Sequence, residues 1–432
     1  MIDINTKIHD SLSIEFKVGF KSQEEHHSKD FTVGMWFFVP TSLDINPSTY
    51  TKSDFYRDVK SNVRLVTPSF RLDEIASGPA IPLHNVKESY GEEYDYQLRV
   101  FSAIVKSSLR DSTDLDDETF TSAVKDIFKE FRSFKACNTH KLCGEFLCNI
   151  CSQTALGRME DGGDRELLSA LVLEIDSYRK DEGYITVIPG DEKNNKSFVH
   201  RQSILKKFVE RPFYLRAPKK RDGVIAEQAY YSVAAGLAML FATVVAWAFQ
   251  RRFGNLTWPL FLALIISYMM KDRIKELMRY YFAHKVGSKY FDNKARIIFK
   301  DKKIGTFKEG MDFIPVSKVP QEVLDLRNRE RNFDAESRVP DEKVILYRKR
   351  VTVDRDINDI VRFQVSSLLH KMDNPSKSVK VLSPEGEATE IDCTRDYHVN
   401  IVLQYENGSE REFKHFRLYL TRDGIQSIKE II

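Results

Sequence analysis

Cysteine is scarce in this chain, and catalytic signatures are missing. The five cysteines are an odd number, and four of them fall between Cys137 and Cys151. A secreted disulfide framework would spread an even set along the chain, so reduced thiols in a cytosol fit better. The absence of G-x-x-x-x-G-K-S/T excludes a P-loop nucleotide site, and neither H-E-x-x-H nor G-x-S-x-G occurs. His26-His27 suits a polar loop and Asp161-Gly162-Gly163-Asp164 a tight turn. Net charge is slight at +3, which argues against nucleic acid as a partner. Met1-Ile2-Asp3-Ile4-Asn5 has neither the basic start nor the apolar core of a signal peptide, so any membrane insertion is expected to use an internal segment.

Charged residues make up 30% and apolar ones 42%, the balance of a soluble globular protein. A length of 432 residues allows two or three domains. Against that background one region stands out. From Gln228 to Gln250 no residue is charged; at about 1.5 Å rise per residue such a helix crosses a hydrocarbon core of roughly 30 Å. A short polar turn, Arg251-Arg252-Phe253-Gly254-Asn255, leads to a second uncharged run, Leu256 to Met270, near the lower limit for spanning. Tyr230, Tyr231, Trp247, Trp258 and Tyr268 sit where membrane interfaces favour aromatic rings. A buried hairpin in a soluble core is the alternative, but core helices rarely run so long without a charge.

Cations flank the two runs: Lys219, Lys220 and Arg221 before them, Lys271, Arg273 and Lys275 after them. By the positive-inside rule both flanks, and both termini, are cytoplasmic in an inner or plasma membrane of bacterial type. These six residues are the candidate contacts to lipid headgroups. Ala234, Ala238, Ala242 and Ala246 recur every four residues, and Ala263 and Ser267 repeat the spacing. Small residues let helices approach closely in lipid. Such a stripe either closes the hairpin on itself or packs hairpins of several subunits into a homo-oligomer. Beyond Met270, Ile274, Leu277, Met278, Tyr281 and Phe282 form one face of an amphipathic exit helix. No acidic or basic residue lies inside either run, which leaves a selective ion pathway without side chains.

The expected fold class is α+β, with soluble strand-and-helix domains flanking a central two-helix transmembrane hairpin. Residues 1–110 read as a strand-rich region, because Leu12–Phe20 and Phe31–Val39 alternate like a paired antiparallel ribbon. Residues 111–210 read as helical, residues 225–286 as the hairpin with its exit helix, and residues 290–432 as a C-terminal α+β domain. Within the last, Ala295–Phe299 and Lys343–Val353 suggest strands, Val319–Asp341 a surface helix and loop, and Asp356–Met372 a capped helix. Tyr397–Tyr405 and Phe416–Leu420 suggest a ribbon turning at Asn407-Gly408. The strand regions on either side of the hairpin could share one sheet. Arg348-Lys349-Arg350 suits a solvated strand edge, or a strand touching phosphates.

Cys137, His140, Cys143, Cys148 and Cys151 form the one site-like cluster, and zinc is the candidate cofactor. Phe131–Leu156 reads as continuous helix, however, and stretches these residues over about 20 Å. A single ion therefore needs a break near Gly144; a cysteine-packed helix face needs none. The combined expectation is a membrane-anchored, self-associating, non-enzymatic protein whose cytoplasmic domains sense or recruit a protein partner. A membrane-disrupting effector and a membrane-tethered metalloprotein are the alternatives.

Overall fold

The computed structural model describes residues 3–20, 29–68, 70–76, 91–254, 257–281, 290–330, 342–384, 386–407 and 410–431. His26-His27, Phe282, Gly408 and the 331–341 part of the charged Val319–Asp341 segment lie outside the described residues.

In chain order, the first strands are β1 (Asp3–Asp10), β2 (Ser13–Phe20) and β3 (Lys29–Pro40), followed by α1 (Lys52–Asp58) and β4 (Val59–Leu65). Five helices come next: α2 (Glu92–Arg110), α3 (Asp117–Ser133), α4 (Asn138–Glu160), α5 (Arg165–Asp181) and α6 (Glu192–Glu210). A short strand β5 (Lys219–Arg221) enters the long helices α7 (Val224–Phe253) and α8 (Trp258–Tyr281). After them come β6 (Asn293–Phe299), β7 (Lys302–Ile314), α9 (Gln321–Arg327), β8 (Glu342–Val353), β9 (Ile357–Gln364) and α10 (Ser366–Leu369). The last strands are β10 (Ser376–Leu382), β11 (Ala388–Thr394), β12 (Tyr397–Asn407), β13 (Glu410–Thr421) and β14 (Gly424–Ile431). With 47% of the described residues helical and 32% in strands, the fold is α+β.

Two compact units emerge: Met1–Val63 with Leu215–Ile432, and Arg64–Tyr214. They divide the chain differently from the four sequence segments, since α2 packs in the helical unit and the two ends of the chain fold together. The first unit is a β-sandwich. Its larger sheet has eight antiparallel strands in the order β14-β13-β12-β3-β8-β7-β6-β5, and its smaller sheet runs β1-β2-β9-β4. N-terminal β3 lies between C-terminal β12 and β8, so the regions on either side of α7 and α8 do share a sheet. Strands β2 and β3 do not pair as a ribbon. They face each other across the sandwich, with Phe20 and Phe31 centroids 5.0 Å apart. Inward-facing aromatics fill this interior, Phe16 against Phe416 and Phe37 against Phe363. On the far face of the larger sheet, Val323 of α9 closes over Trp36, Phe38, Val344 and Val402.

The second unit is a helix bundle around one apolar core of Leu98, Phe101, Phe120, Ile127, Phe131, Leu147 and Leu168. Its helix starts are written in the sequence: Asp116, Asp164 and Asp191 each accept hydrogen bonds from first-turn amides. The acidic residue thus marks three of the five starts, while α2 begins at Gly91 and α4 at Cys137.

Two expected elements need correction. Asp356–Met372 is strand over Ile357–Gln364, with only Ser366–Leu369 helical. Ile357, Val361 and Phe363 face the sandwich interior, and β9 pairs along its whole length with β2, so tertiary pairing overrides a pattern that also fits a helical period. The break in the cysteine helix falls at Phe134–Cys137, between α3 and α4, and Gly144 lies inside α4. A methyl group at Gly144 would meet Tyr184 Oη at 2.7 Å and Phe131 Cε1 at 3.2 Å. The glycine serves close packing and leaves the helix unbroken.

Candidate functional site

Helices α7 and α8 leave and re-enter the sandwich through neighbouring strands. Lys219, Lys220 and Arg221 of β5 pair with Ala295, Lys294 and Asn293 of β6, and Asp222 N–H donates to Asp292 O at 3.1 Å. Gly223, at φ +72°, makes the turn into α7; a Cβ there would meet Tyr290 Cγ at 2.9 Å, so both the dihedral and the space demand glycine. Asp222 lies between Lys308 (3.1 Å) and Lys294 (3.3 Å). Burial alone would raise its carboxyl, but these ammonium groups and the Gly223 N–H hold it below the usual carboxylate range.

The two helices run antiparallel. Ser267 Oγ donates to Ala242 O at 3.2 Å, and Tyr230 Oη contacts Met278 Sδ at 3.7 Å near the root. Ala234 is 0% and Ala238 1% exposed, and Ala263 and Ser267 are buried opposite them. Ala242 and Ala246 are half-buried. The small-residue stripe therefore closes the pair on itself. Large side chains point the other way: Leu237, Met239, Leu240, Val244, Trp247, Trp258, Phe261, Leu264 and Ile265 are all exposed. Among the described residues one helix is long and apolar enough to cross a membrane, Val224–Phe253. An 18-residue window of it has mean hydropathy 2.0 and is 11% buried. Two such helices are expected from the sequence. Helix α8 falls short because its uncharged part, Trp258–Met270, ends at Lys271-Asp272-Arg273.

The six candidate headgroup cations differ in what already engages them. Lys219 Nζ lies 2.6 Å from the fully buried Glu309 carboxylate, and Arg221 pairs with Glu227 at 3.0 Å. Lys271 Nζ stacks over the Tyr268 ring at 4.1 Å. The remaining three, Lys220, Arg273 and Lys275, extend from exposed or half-exposed positions.

The sequence does not reveal the ionic network to which Lys219 belongs. Glu309 also accepts hydrogen bonds from Tyr347 Oη (2.8 Å) and Asn293 Nδ2 (3.1 Å). Nearby, Lys349 Nζ meets Asp359 Oδ2 at 2.6 Å and Ser61 Oγ at 2.5 Å, with Ser61 donating to Asp359 Oδ1 at 2.9 Å. Burial and the neighbouring Glu309 and Asp359 charges raise the Tyr347 phenol far above its ordinary value. Glu309, Lys349 and Asp359 are buried and mutually satisfied, an arrangement that fixes strands. Arg348-Lys349-Arg350 thus lies on an interior strand, β8, with Lys349 pointing into the sandwich and both arginines outward. The alternating direction of strand side chains was the available signal.

The cysteines do not converge. Among the described residues no three His, Cys, Asp or Glu side chains gather as metal ligands would. Cys137 caps α4, its Sγ accepting from His140 N–H at 3.3 Å. His140 stacks on Phe131, centroids 4.2 Å apart, and its Nε2 lies 3.0 Å from Phe131 O. Cys143, Cys148 and Cys151 are buried in the bundle core, and burial pushes the first two thiols up to about 12 and raises the third likewise. Burial thus favours the neutral thiol form of all three. Asp161-Gly162-Gly163-Asp164 is the turn between α4 and α5, with Gly162 at φ +98° and Asp164 as N-cap.

Comparison with known proteins returns no match: no protein-family model, no curated protein and no solved structure resembles the chain.

Proposed function

We propose that the chain is a membrane-anchored protein whose α7–α8 pair inserts into a bilayer and whose folded units sense or recruit a partner at the membrane surface, without catalysis. The observation that carries this reading is the inversion of α7: small residues face its one helical neighbour, and large apolar residues face outward along an uncharged run. In water that surface would be a severe aggregation liability, whereas lipid tails solvate it. Because α7 leaves and α8 returns through the paired strands β5 and β6, both flanks stand on one side of whatever the helices enter. The basic flanks favour the cytoplasmic side of an inner or plasma membrane. Self-association belongs to the same proposal. The alanine stripe is already covered by α8, so a second copy would meet the outward face.

The test is fractionation of cells expressing the full chain. Sedimentation with membranes, resistance to alkaline wash and release by detergent are the expected outcomes; a chain that stays in the supernatant of detergent-free lysate sinks the proposal. Dye leakage from vesicles carrying the protein, at a rate above protein-free vesicles, would favour the membrane-disrupting alternative. Release of stoichiometric zinc from the purified protein would return the metalloprotein alternative to consideration.

A further inference from the structure

The register of the helix pair determines how deep it can sit. The contact between Ser267 and Ala242 and that between Tyr230 and Met278 are about a dozen residues apart on both helices. Arg279 lies over the Tyr231 ring at 5.5 Å, in the same alignment. One register therefore runs along the pair, and it brings Lys271 level with Ala238 and Lys275 level with Ala234. The charged residues Lys271, Asp272, Arg273, Lys275, Glu276 and Arg279 lie beside the first half of the uncharged α7 run. Asp272, Arg273 and Glu276 point outward.

A hydrocarbon slab covering Gln228 to Gln250 would immerse all six. A slab moved toward the tip immerses none of them, and of the large aliphatic side chains in that run it leaves only Val233 and Leu237 wet. Placing six charged groups in hydrocarbon costs far more than wetting two aliphatic ones. We infer that a phospholipid bilayer covers only the distal half of the pair, Met239–Phe253 and Trp258–Met270, and that the proximal half is a water-exposed stalk. This rests on the anchoring proposed above and adds the depth. The immersed part of α8 rises about 20 Å, against roughly 30 Å of hydrocarbon. Arg251 and Arg252 at the tip, and Lys271 and Arg273 at the other end, reach outward to the two headgroup layers, with local thinning making up the rest. Phosphate groups of the lipid then meet Lys271, Arg273 and Lys275. The β5 cations Lys219, Lys220 and Arg221 stand roughly 25 Å further back, at the root of the stalk.

Four single substitutions test the level: Val233→Cys, Leu237→Cys, Val244→Cys and Ile265→Cys, all at exposed positions. The full chain is reconstituted in vesicles of phosphatidylcholine and phosphatidylglycerol and treated with a membrane-impermeant maleimide. Exposed native Cys393 serves as the reference within each molecule, so molecules facing the vesicle lumen drop out of the ratio. The expected result is labelling at 233 and 237 comparable to Cys393, and labelling at 244 and 265 roughly tenfold or more slower. Protection at 233 and 237 equal to that at 244 overturns the inferred depth while leaving anchoring intact. Free labelling at all four overturns the anchoring and the depth with it.

Discussion

Helices α4 and α7 both carry small residues at helical spacing, yet they bury opposite parts of themselves. In α4 the cysteines share the buried face with Phe146 and Leu147, and charged Lys141 looks outward. In α7 only the small side chains are covered, and Leu237, Met239, Leu240 and Trp247 stand outside. A stripe of small residues is therefore ambiguous in sequence. What separates a core helix from a lipid-facing one is where the large apolar side chains go. The first supplies a bundle with its interior; the second asks for a solvent that is not water.

The sharpest way to break the comparison is to place charge on the exposed apolar positions. Leu240→Lys combined with Leu264→Lys adds two cations to the part of the pair proposed to be immersed, at about 2.5–3.5 kcal/mol each near a bilayer centre. Membrane partitioning should fall by roughly a thousandfold or more, measured by vesicle flotation, while far-UV circular dichroism stays unchanged. A double variant that still floats would show that these faces do not meet lipid. The matching change in α4, Leu147→Lys, should unfold the helix bundle, because it buries an unpaired cation in the core.

Truncation sharpens the same contrast at lower cost. Leu147→Ala should destabilise the bundle by about 3–4 kcal/mol, since the side chain is fully buried and leaves a cavity. Leu240→Ala should change unfolding in detergent by less than about 0.5 kcal/mol. Urea titration followed by circular dichroism reports the bundle. All three tryptophans, Trp36, Trp247 and Trp258, lie in the other unit, so their fluorescence reports the sandwich and the helix pair separately.

Acid should distinguish the two units as well. His415 is buried in the sandwich, and burial together with the Arg417 and Arg327 charges lowers its pKa from 6.5 to about 4. The unfolded chain takes a proton at pH 6.5 that the folded chain refuses until about pH 4. Stability from this group is complete above about 6.5 and falls through that window, by on the order of 3 kcal/mol. His415→Gln should flatten that part of the pH–stability curve when unfolding is followed by tryptophan fluorescence. An unchanged slope would mean that His415 does not control it.

Much of this architecture is legible in the sequence, and the failures have physical causes. Alternation announces β2, β3, β8, β12 and β13, and acidic N-caps announce α3 and α5. Strand β9 is concealed because Ile357, Ile360, Val361, Val365 and Leu368 satisfy a helical period as well as a strand buried from both sides. Strand β7 is concealed because its interior side includes Glu309, which reads as surface until Tyr347, Asn293 and Lys219 are found around it. Of the candidate functional region, the apolar run, the aromatic belts and the alanine stripe are all visible in the letters. The register that brings α8's charges beside α7's apolar half is not, because it depends on how two helices align.

The smallest effect separates the two readings of the cysteine helix. Cys137 Sγ accepts one hydrogen bond from the first turn of α4, the part a serine or asparagine plays at most helix starts. If capping is its whole contribution, Cys137→Ala should cost about 1 kcal/mol and Cys137→Ser should lie within a few tenths of the parent, because a hydroxyl caps as well as a thiol. A zinc ligand behaves otherwise, since serine does not replace a thiolate on the metal and both variants would lose the binding energy that supports folding. Equal and large losses for alanine and serine would therefore revive the metal site. Recovery by serine alone assigns the residue to the helix.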